Sequence, residues 1–252
     1  MPRTGGTGGS TIIAHRGSSF LSPENTLAAL KLGWSETEMC EVDVRLTRDG
    51  RLLVIHDATT KRTTGIDLDV ARHTLRNLTR LDAGSWKGAA WSGEKFVPLE
   101  KALGAMPKAK RLLIEVKAGP EAVPELARVV RASGKGRRVL VHSFDFATCL
   151  AARKAMPRVP TYYLIAAKYD RRTRKWAPAL ADAVRMAQEA RLAGIGANDT
   201  PQIKAAAVRK LHATGLKLNI WTVDRVPAAR RLIAAGVDGL ITNRPGWLKA
   251  RL

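Results

Sequence analysis

Glu41 and Asp43 stand two residues apart in Met39-Cys40-Glu41-Val42-Asp43-Val44, a run that alternates like a strand. Residues i and i+2 of a strand face the same way. Two carboxylates on one face of an apolar strand repel each other and lose hydration. A divalent cation relieves that cost, because hard cations take carboxylate oxygens. His15 and His56 each close an apolar run, Thr11-Ile12-Ile13-Ala14 and Leu52-Leu53-Val54-Ile55. Carboxylates able to hold a metal beside two imidazoles are equipment for hydrolysing a phosphate ester.

Other residues fit the same chemistry. Arg16 follows His15, so a guanidinium and an imidazole flank one position and can hold a phosphoryl group from two sides. Glu115 and Lys117 repeat the i, i+2 spacing after Leu112-Leu113-Ile114. Glu115 can complete an oxygen set for a metal, and Lys117 can face a phosphate; a surface ion pair is the plain alternative. Glu24 and Asn25, in Pro23-Glu24-Asn25-Thr26, fit either helix capping or a part in the site. His73 and His212 lie in helical stretches and read as surface or packing residues. Cys40 and Cys149 are too isolated for a disulfide framework or a zinc site.

The elements that must carry these groups alternate. Strand-like runs at Thr11–Ala14, Met39–Val44, Arg111–Val116, Val139–His142, Thr161–Ile165, Gly194–Ala197, Leu218–Trp221 and Gly239–Ile241 are separated by Ala-, Leu- and Arg-rich helical stretches. Eight such repeats predict a single α/β domain, a (β/α)8 TIM barrel over 11–252, with a doubly wound open sheet as the alternative. The gap between Val44 and Arg111 exceeds one helix. It marks an insertion after the second strand, containing the run that ends at His56 and a helical piece around Leu75–Leu81. Such an insertion lies at the C-terminal face of a barrel, over the other candidate residues.

Composition bounds the rest. With 45% hydrophobic residues among 252, the chain can bury a large core, and its apolar runs are too short to span a membrane. Met1 to Ser10, rich in Gly and Thr, reads as a flexible tail and not a signal peptide, so a cytoplasmic location is expected. There are 43 Lys+Arg against 22 Asp+Glu, a net charge of +21. Such a field attracts polyanions, anionic surfaces and anionic substrates, but it also fits a merely solvated basic surface.

His15-Arg16-Gly17, Pro23-Glu24-Asn25-Thr26, Glu41-x-Asp43, His56-Asp57, Glu115-x-Lys117, Trp221-Thr-Val and Asp238-Gly-Leu-Ile-Thr-Asn-Arg-Pro together resemble the glycerophosphodiester phosphodiesterase family, from about Ile12 to Pro245. The resemblance implies a TIM barrel that cleaves glycerophosphodiesters to an alcohol and glycerol 3-phosphate with Mg²⁺ or Ca²⁺, Mn²⁺ being compatible. It makes Glu41, Asp43 and Glu115 metal ligands and His15 and His56 the acid–base pair. Arg16 and Lys117 would contact phosphate and Trp221 would line the glycerol side. Asn198, near strand six, is a loose counterpart of a family asparagine. Sphingomyelinase D-like or lysophospholipase D activity, or a non-catalytic polyanion-binding role, are the alternatives. Charge alone does not make a nucleic-acid site. The basic stretch 168–176 follows strand five and is expected at the catalytic face, as a solvated loop or a lip for an anionic substrate or membrane surface.

Overall fold

The eight apolar runs are the staves of a closed parallel barrel in the computed structural model, which describes residues 9–252. They are β1 (Thr11–Ala14), β2 (Met39–Leu46), β3 (Arg111–Val116), β4 (Val139–Ser143), β5 (Thr161–Ile165), β6 (Gly194–Asn198), β7 (Lys217–Trp221) and β8 (Gly239–Thr242). Each pairs in parallel with its neighbours in sequence, and β1 pairs with β8 to close the ring. Helices follow in turn: α1 (Leu27–Glu36), α2 (Leu99–Ala105), α3 (Val123–Ala132), α4 (Phe146–Ala155), α5 (Leu180–Glu189), α6 (Ala205–Ala213), α7 (Val226–Ala235) and α8 (Pro245–Lys249). Local signals set several helix ends. The Thr26 hydroxyl caps α1 by accepting from Ala29 N–H, and Asp145 caps α4 in the same manner. Gly236, at φ 89°, ends α7 in the left-handed conformation that a glycine adopts without strain.

The strand alternation sorts side chains into two layers. Val42, Leu112, Ile114 and Val141 point outward and pack with Leu30, Leu103 and Leu126 of the helices. Ile13, Met39, Leu113, Leu140, Tyr162 and Ile241 point inward and fill the barrel. Each fully buried side chain of this size contributes roughly 1.5–3 kcal/mol. The inner layer also sets the position of the chemistry. Two residues further along, the same face carries His15 after Ile13, Glu41 after Met39, Glu115 after Leu113, and His142 after Leu140. The polar layer therefore sits one step above the apolar plug, at the C-terminal end of the barrel.

The insertion after β2 begins as Leu52–Val54, antiparallel to the upper part of β2, and returns as Val97–Pro98 beside it. Leu53, Ile55, Val70, Leu78 and Phe96 give it a small core of its own. The basic stretch after β5, expected as a loop, is a β-hairpin: Lys168–Asp170 pairs antiparallel with Lys175–Ala177. Of the expected tail, 1–8 lie outside the described residues; the Ser10 hydroxyl donates to the Val237 carbonyl at the foot of the barrel. Among the described residues no helix is long and apolar enough to cross a membrane.

Candidate active site

A cavity of about 260 Å³ opens at the C-terminal end of the barrel, and His15, Arg16, Glu41, His56, Glu115 and Lys117 all line it. Asp43 lies beneath, fully buried. Register explains the convergence: Asp43 stands level with Glu115 across β2 and β3, and Glu115 stands level with His142 across β3 and β4.

At the end of β1 the chain turns through Arg16 (φ 56°) and Gly17 (φ 79°). A Cβ on Gly17 would lie 2.4 Å from the carbonyl carbon of Ala29, so only glycine fits against α1 there. The turn aims the Arg16 N–H at Glu41 Oε2, 2.9 Å away. The Arg16 guanidinium places Nε 3.1 Å from Asp43 Oδ2 and donates through Nη1 to Glu24 Oε1 at 2.8 Å. Left-handed backbone at a non-glycine residue costs on the order of 1–3 kcal/mol. These ionic contacts offset it and hold the guanidinium over the cavity.

Glu24 and Asn25 precede the α1 cap and cap nothing themselves. Glu24 bridges Arg16 and Arg62, accepting from Arg62 at 2.8 and 2.9 Å. Asn25 clasps Asp43: its Nδ2 donates to Asp43 Oδ2 (2.9 Å) while its Oδ1 accepts from the Asp43 N–H (3.2 Å). Asn198 is separate from this group. It is spent on both backbone groups of Ala167, at 2.7 and 2.9 Å, bracing the segment after β5.

Each histidine has one ring nitrogen fixed. His56 Nδ1 lies 2.6 Å from Asp57 Oδ1, and Arg62 Nε donates to Asp57 Oδ2 at 2.6 Å. His15 Nδ1 lies 2.7 Å from Asn243 Oδ1, whose amide is oriented by donating from Nδ2 to Asp224 Oδ2 at 2.6 Å. Both partners are acceptors, so both Nδ1 atoms carry hydrogen and both Nε2 atoms are left as acceptors. Burial pushes the His56 imidazole below its ordinary value, against the pull of Asp43 and Asp57.

The acidic cluster is the most perturbed part of the site. Burial and the neighbouring Asp43 charge push Glu41 up to about 7. Burial, with Asp43 again contributing, raises Glu115 to about 7. Burial also opposes ionisation of Asp43, but Arg16 and Lys117 overcome it and hold that carboxyl down to about 2. Lys117 Nζ stands 2.6 Å from Glu115 Oε1 and 3.3 Å from Asp43 Oδ1. Among the described residues, buried Glu41 Oε1 and His142 Nε2 lack a hydrogen-bond partner, while Glu115 Oε1 and Asp43 Oδ1 meet only Lys117. Such atoms are costly unless something positive meets them. The ligand atoms of Glu41, Glu115 and His142 lie within 4.8 Å of one another, so this buried group could hold a metal ion. The sequence places His142 at the end of the fourth strand but gives it no role, although its parity with Glu115 is a usable signal. Burial drives its pKa down to about 4, leaving a neutral imidazole able to act as a ligand.

The opposite wall is aromatic. Trp221 and Phe144 meet edge to face with centroids 5.5 Å apart, and Trp221 Nε1 is buried without a partner among the described residues. Asn243, Asp224, Asp57 and Arg62 are the other site residues whose roles as positioners emerge only here.

A TIM barrel with paired imidazoles, two cations and a carboxylate cluster around one cavity is the apparatus of a phosphoric diester hydrolase, and the chain is an enzyme of that class. The sequence pattern of the glycerophosphoryl diester phosphodiesterase family matches residues 15–247, and the chain belongs to that family. A glycerophosphodiester phosphodiesterase of Caldanaerobacter subterraneus subsp. tengcongensis is 34% identical over 243 residues, covering 94% of this chain and 95% of that protein. One from Bacillus subtilis (strain 168) is 30% identical over 253 residues, covering 92% and 83%. The solved structure of an Oleispira antarctica phosphodiesterase in complex with the product sn-glycerol-3-phosphate superposes with a TM-score of 0.83 at 26% identity, covering 96% of each chain.

Proposed function

We propose that this enzyme hydrolyses glycerophosphodiesters to sn-glycerol 3-phosphate and an alcohol, using His15 and His56 for proton transfer and a divalent cation at the carboxylate cluster. The carrying observation is the pair of imidazoles, each with Nδ1 fixed, on one cavity with Arg16 and Lys117. The product named with the Oleispira antarctica structure supports the same substrate class.

The buried carboxylate oxygens of Glu41, Asp43 and Glu115 suit Mg²⁺ or Ca²⁺, and His142 Nε2 beside Glu41 and Glu115 makes Mn²⁺ compatible. Bound there, a cation would neutralise charge on a phosphate oxygen and acidify a neighbouring hydroxyl or water. Arg16 and Lys117 hold the phosphate and take up charge developing on its oxygens. One histidine removes the proton from the attacking oxygen as its bond to phosphorus forms. The other gives a proton to the head-group oxygen as its bond to phosphorus breaks, so the phosphate stays on glycerol. Trp221 and Phe144 supply an apolar wall for the glycerol carbons. The test is release of glycerol 3-phosphate from glycerophosphocholine with and without EDTA. Release of glycerol and phosphocholine instead would reject the proposed bond cleavage.

A further inference from the structure

Of the large hydrophobic side chains that the described residues leave exposed, six follow the C-terminal ends of barrel strands: Phe20, Leu21, Ile66, Trp86, Phe144 and Tyr169. The other two are Leu150 on α4 and Leu252. Exposed apolar residues scattered singly need no explanation. Six in the connections that leave one end of the barrel give that end an excess of apolar tips, the kind of feature that marks an interaction surface.

Contacts knit part of this end into one patch. The Phe20 N–H donates to the Asn243 carbonyl at 3.0 Å, and Lys87 Nζ donates to the Ser19 carbonyl at 2.8 Å. Lys87 and Arg62 stand 5.5 and 5.9 Å from the Trp86 ring, and the Arg244 guanidinium lies 4.0 Å from the Phe20 ring. Beyond the cavity, the hairpin after β5 presents Lys168, Arg171, Arg172, Arg174 and Lys175, all exposed, around Tyr169 and Trp176. Its one acid, Asp170, accepts from the N–H groups of Arg172 and Thr173 and shapes the turn. The catalytic end thus pairs apolar tips with cations, the composition that settles at the boundary between headgroups and acyl chains.

We propose that this end of the barrel docks on an anionic lipid bilayer. Phe20, Leu21, Ile66, Trp86 and Tyr169 enter the interfacial layer, and the exposed hairpin cations meet lipid phosphates. A nucleic acid would use the cations and the flat rings, but Leu21 and Ile66 offer no π-face for a base to stack on. A bilayer uses all of them. The proposal concerns the surface alone and is independent of the reaction assigned to the cavity.

Flotation of the full chain with vesicles tests it. Vesicles of equal parts phosphatidylcholine and phosphatidylglycerol should carry the protein, pure phosphatidylcholine should carry much less, and added salt should weaken the binding. Leu21→Ser/Ile66→Ser/Tyr169→Ser should cut the bound fraction ~10-fold at an unchanged melting temperature. If that triple variant does not fold, Tyr169→Ser alone should give a smaller loss in the same direction. Arg171→Ser/Arg172→Ser/Arg174→Ser should lose binding to the mixed vesicles. Lys108→Ser/Arg137→Ser/Arg138→Ser, the same charge change before β3 and β4 at the opposite end, should keep it. Equal losses from both charge variants, or no loss from the apolar variants, would overturn the proposal. So would failure to float, or binding of a single-stranded oligonucleotide that depends on the same apolar residues.

Discussion

His15 Nδ1 lies 2.7 Å from Asn243 Oδ1, joining the two strands at which the barrel closes. Asn243 cannot turn its amide over without breaking its bond to Asp224. The asparagine therefore fixes both the tautomer and the tilt of the imidazole. Asn243→Leu should lower kcat by roughly 10–100-fold, the scale for losing the group that orients a functional histidine. KM should change little, because Asn243 touches the imidazole and is not proposed to touch substrate. A rise in KM at constant kcat would mean that it binds substrate instead.

His15→Ala and His56→Ala should each reduce kcat by roughly 10²–10⁴-fold. The matched controls are His73→Ala and His212→Ala. His73 Nδ1 faces the Asp69 carbonyl and His212 pairs with Asp238, both away from the cavity. Steady-state kinetics on glycerophosphocholine reads the difference, and equal damage from the controls would sink the assignment.

Chelation should abolish activity, and Mg²⁺, Mn²⁺ or Ca²⁺ should restore it. Titration calorimetry gives a readout separate from turnover. Glu41→Gln and Glu115→Gln should each weaken cation affinity by at least roughly 10–100-fold, since ligands matter no less than their outer partners. His142→Ala tests the nitrogen beside them: lost affinity makes it a ligand, and unchanged affinity leaves the oxygens of Glu41, Asp43 and Glu115 as the set.

Glu24→Gln should destabilise the protein by about 1–3 kcal/mol at pH 7, because it removes charge-assisted bonds from a largely buried carboxylate. Burial alone would raise the Glu24 pKa; bonds from Arg62 and Arg16 hold it below its ordinary value instead. A depressed carboxyl contributes stability that is fully present above its unfolded pKa, near ~4.3, and is lost as pH falls through the folded value. The gap between wild type and variant in urea unfolding should therefore be constant above about pH 5 and close toward acid. A gap independent of pH down to acid would place the effect in packing.

Much of the fold and part of the site were legible because both depend on short-range patterns. The alternation in Met39–Val44 put Glu41 and Asp43 on one face, and Leu113 to Glu115 to Lys117 runs along another strand by the same geometry. Eight strand–helix repeats defined the barrel, whose C-terminal end then collected His15, Glu41, Glu115 and the insertion bearing His56. A strand has only two faces, so residues two apart share one, and the polar residues at the strand ends mark the face that carries the site.

What remained illegible was pairing. His15 and Asn243 are 228 positions apart, and nothing local says that they meet. Glu24 and Asn25 looked equally suited to capping, and only the packed barrel sets one between Arg16 and Arg62 and the other against Asp43. His142 joined the acidic group because β4 stands level with β3 there, and Asn198 was drawn to the Ala167 backbone. The amino-acid sequence by itself determined the parity of each strand and the order of the strands. Tertiary structure decided who stands beside whom, because hydrogen bonds and metal ligation depend on distances of a few ångströms, set by the register of separate strands around a closed ring.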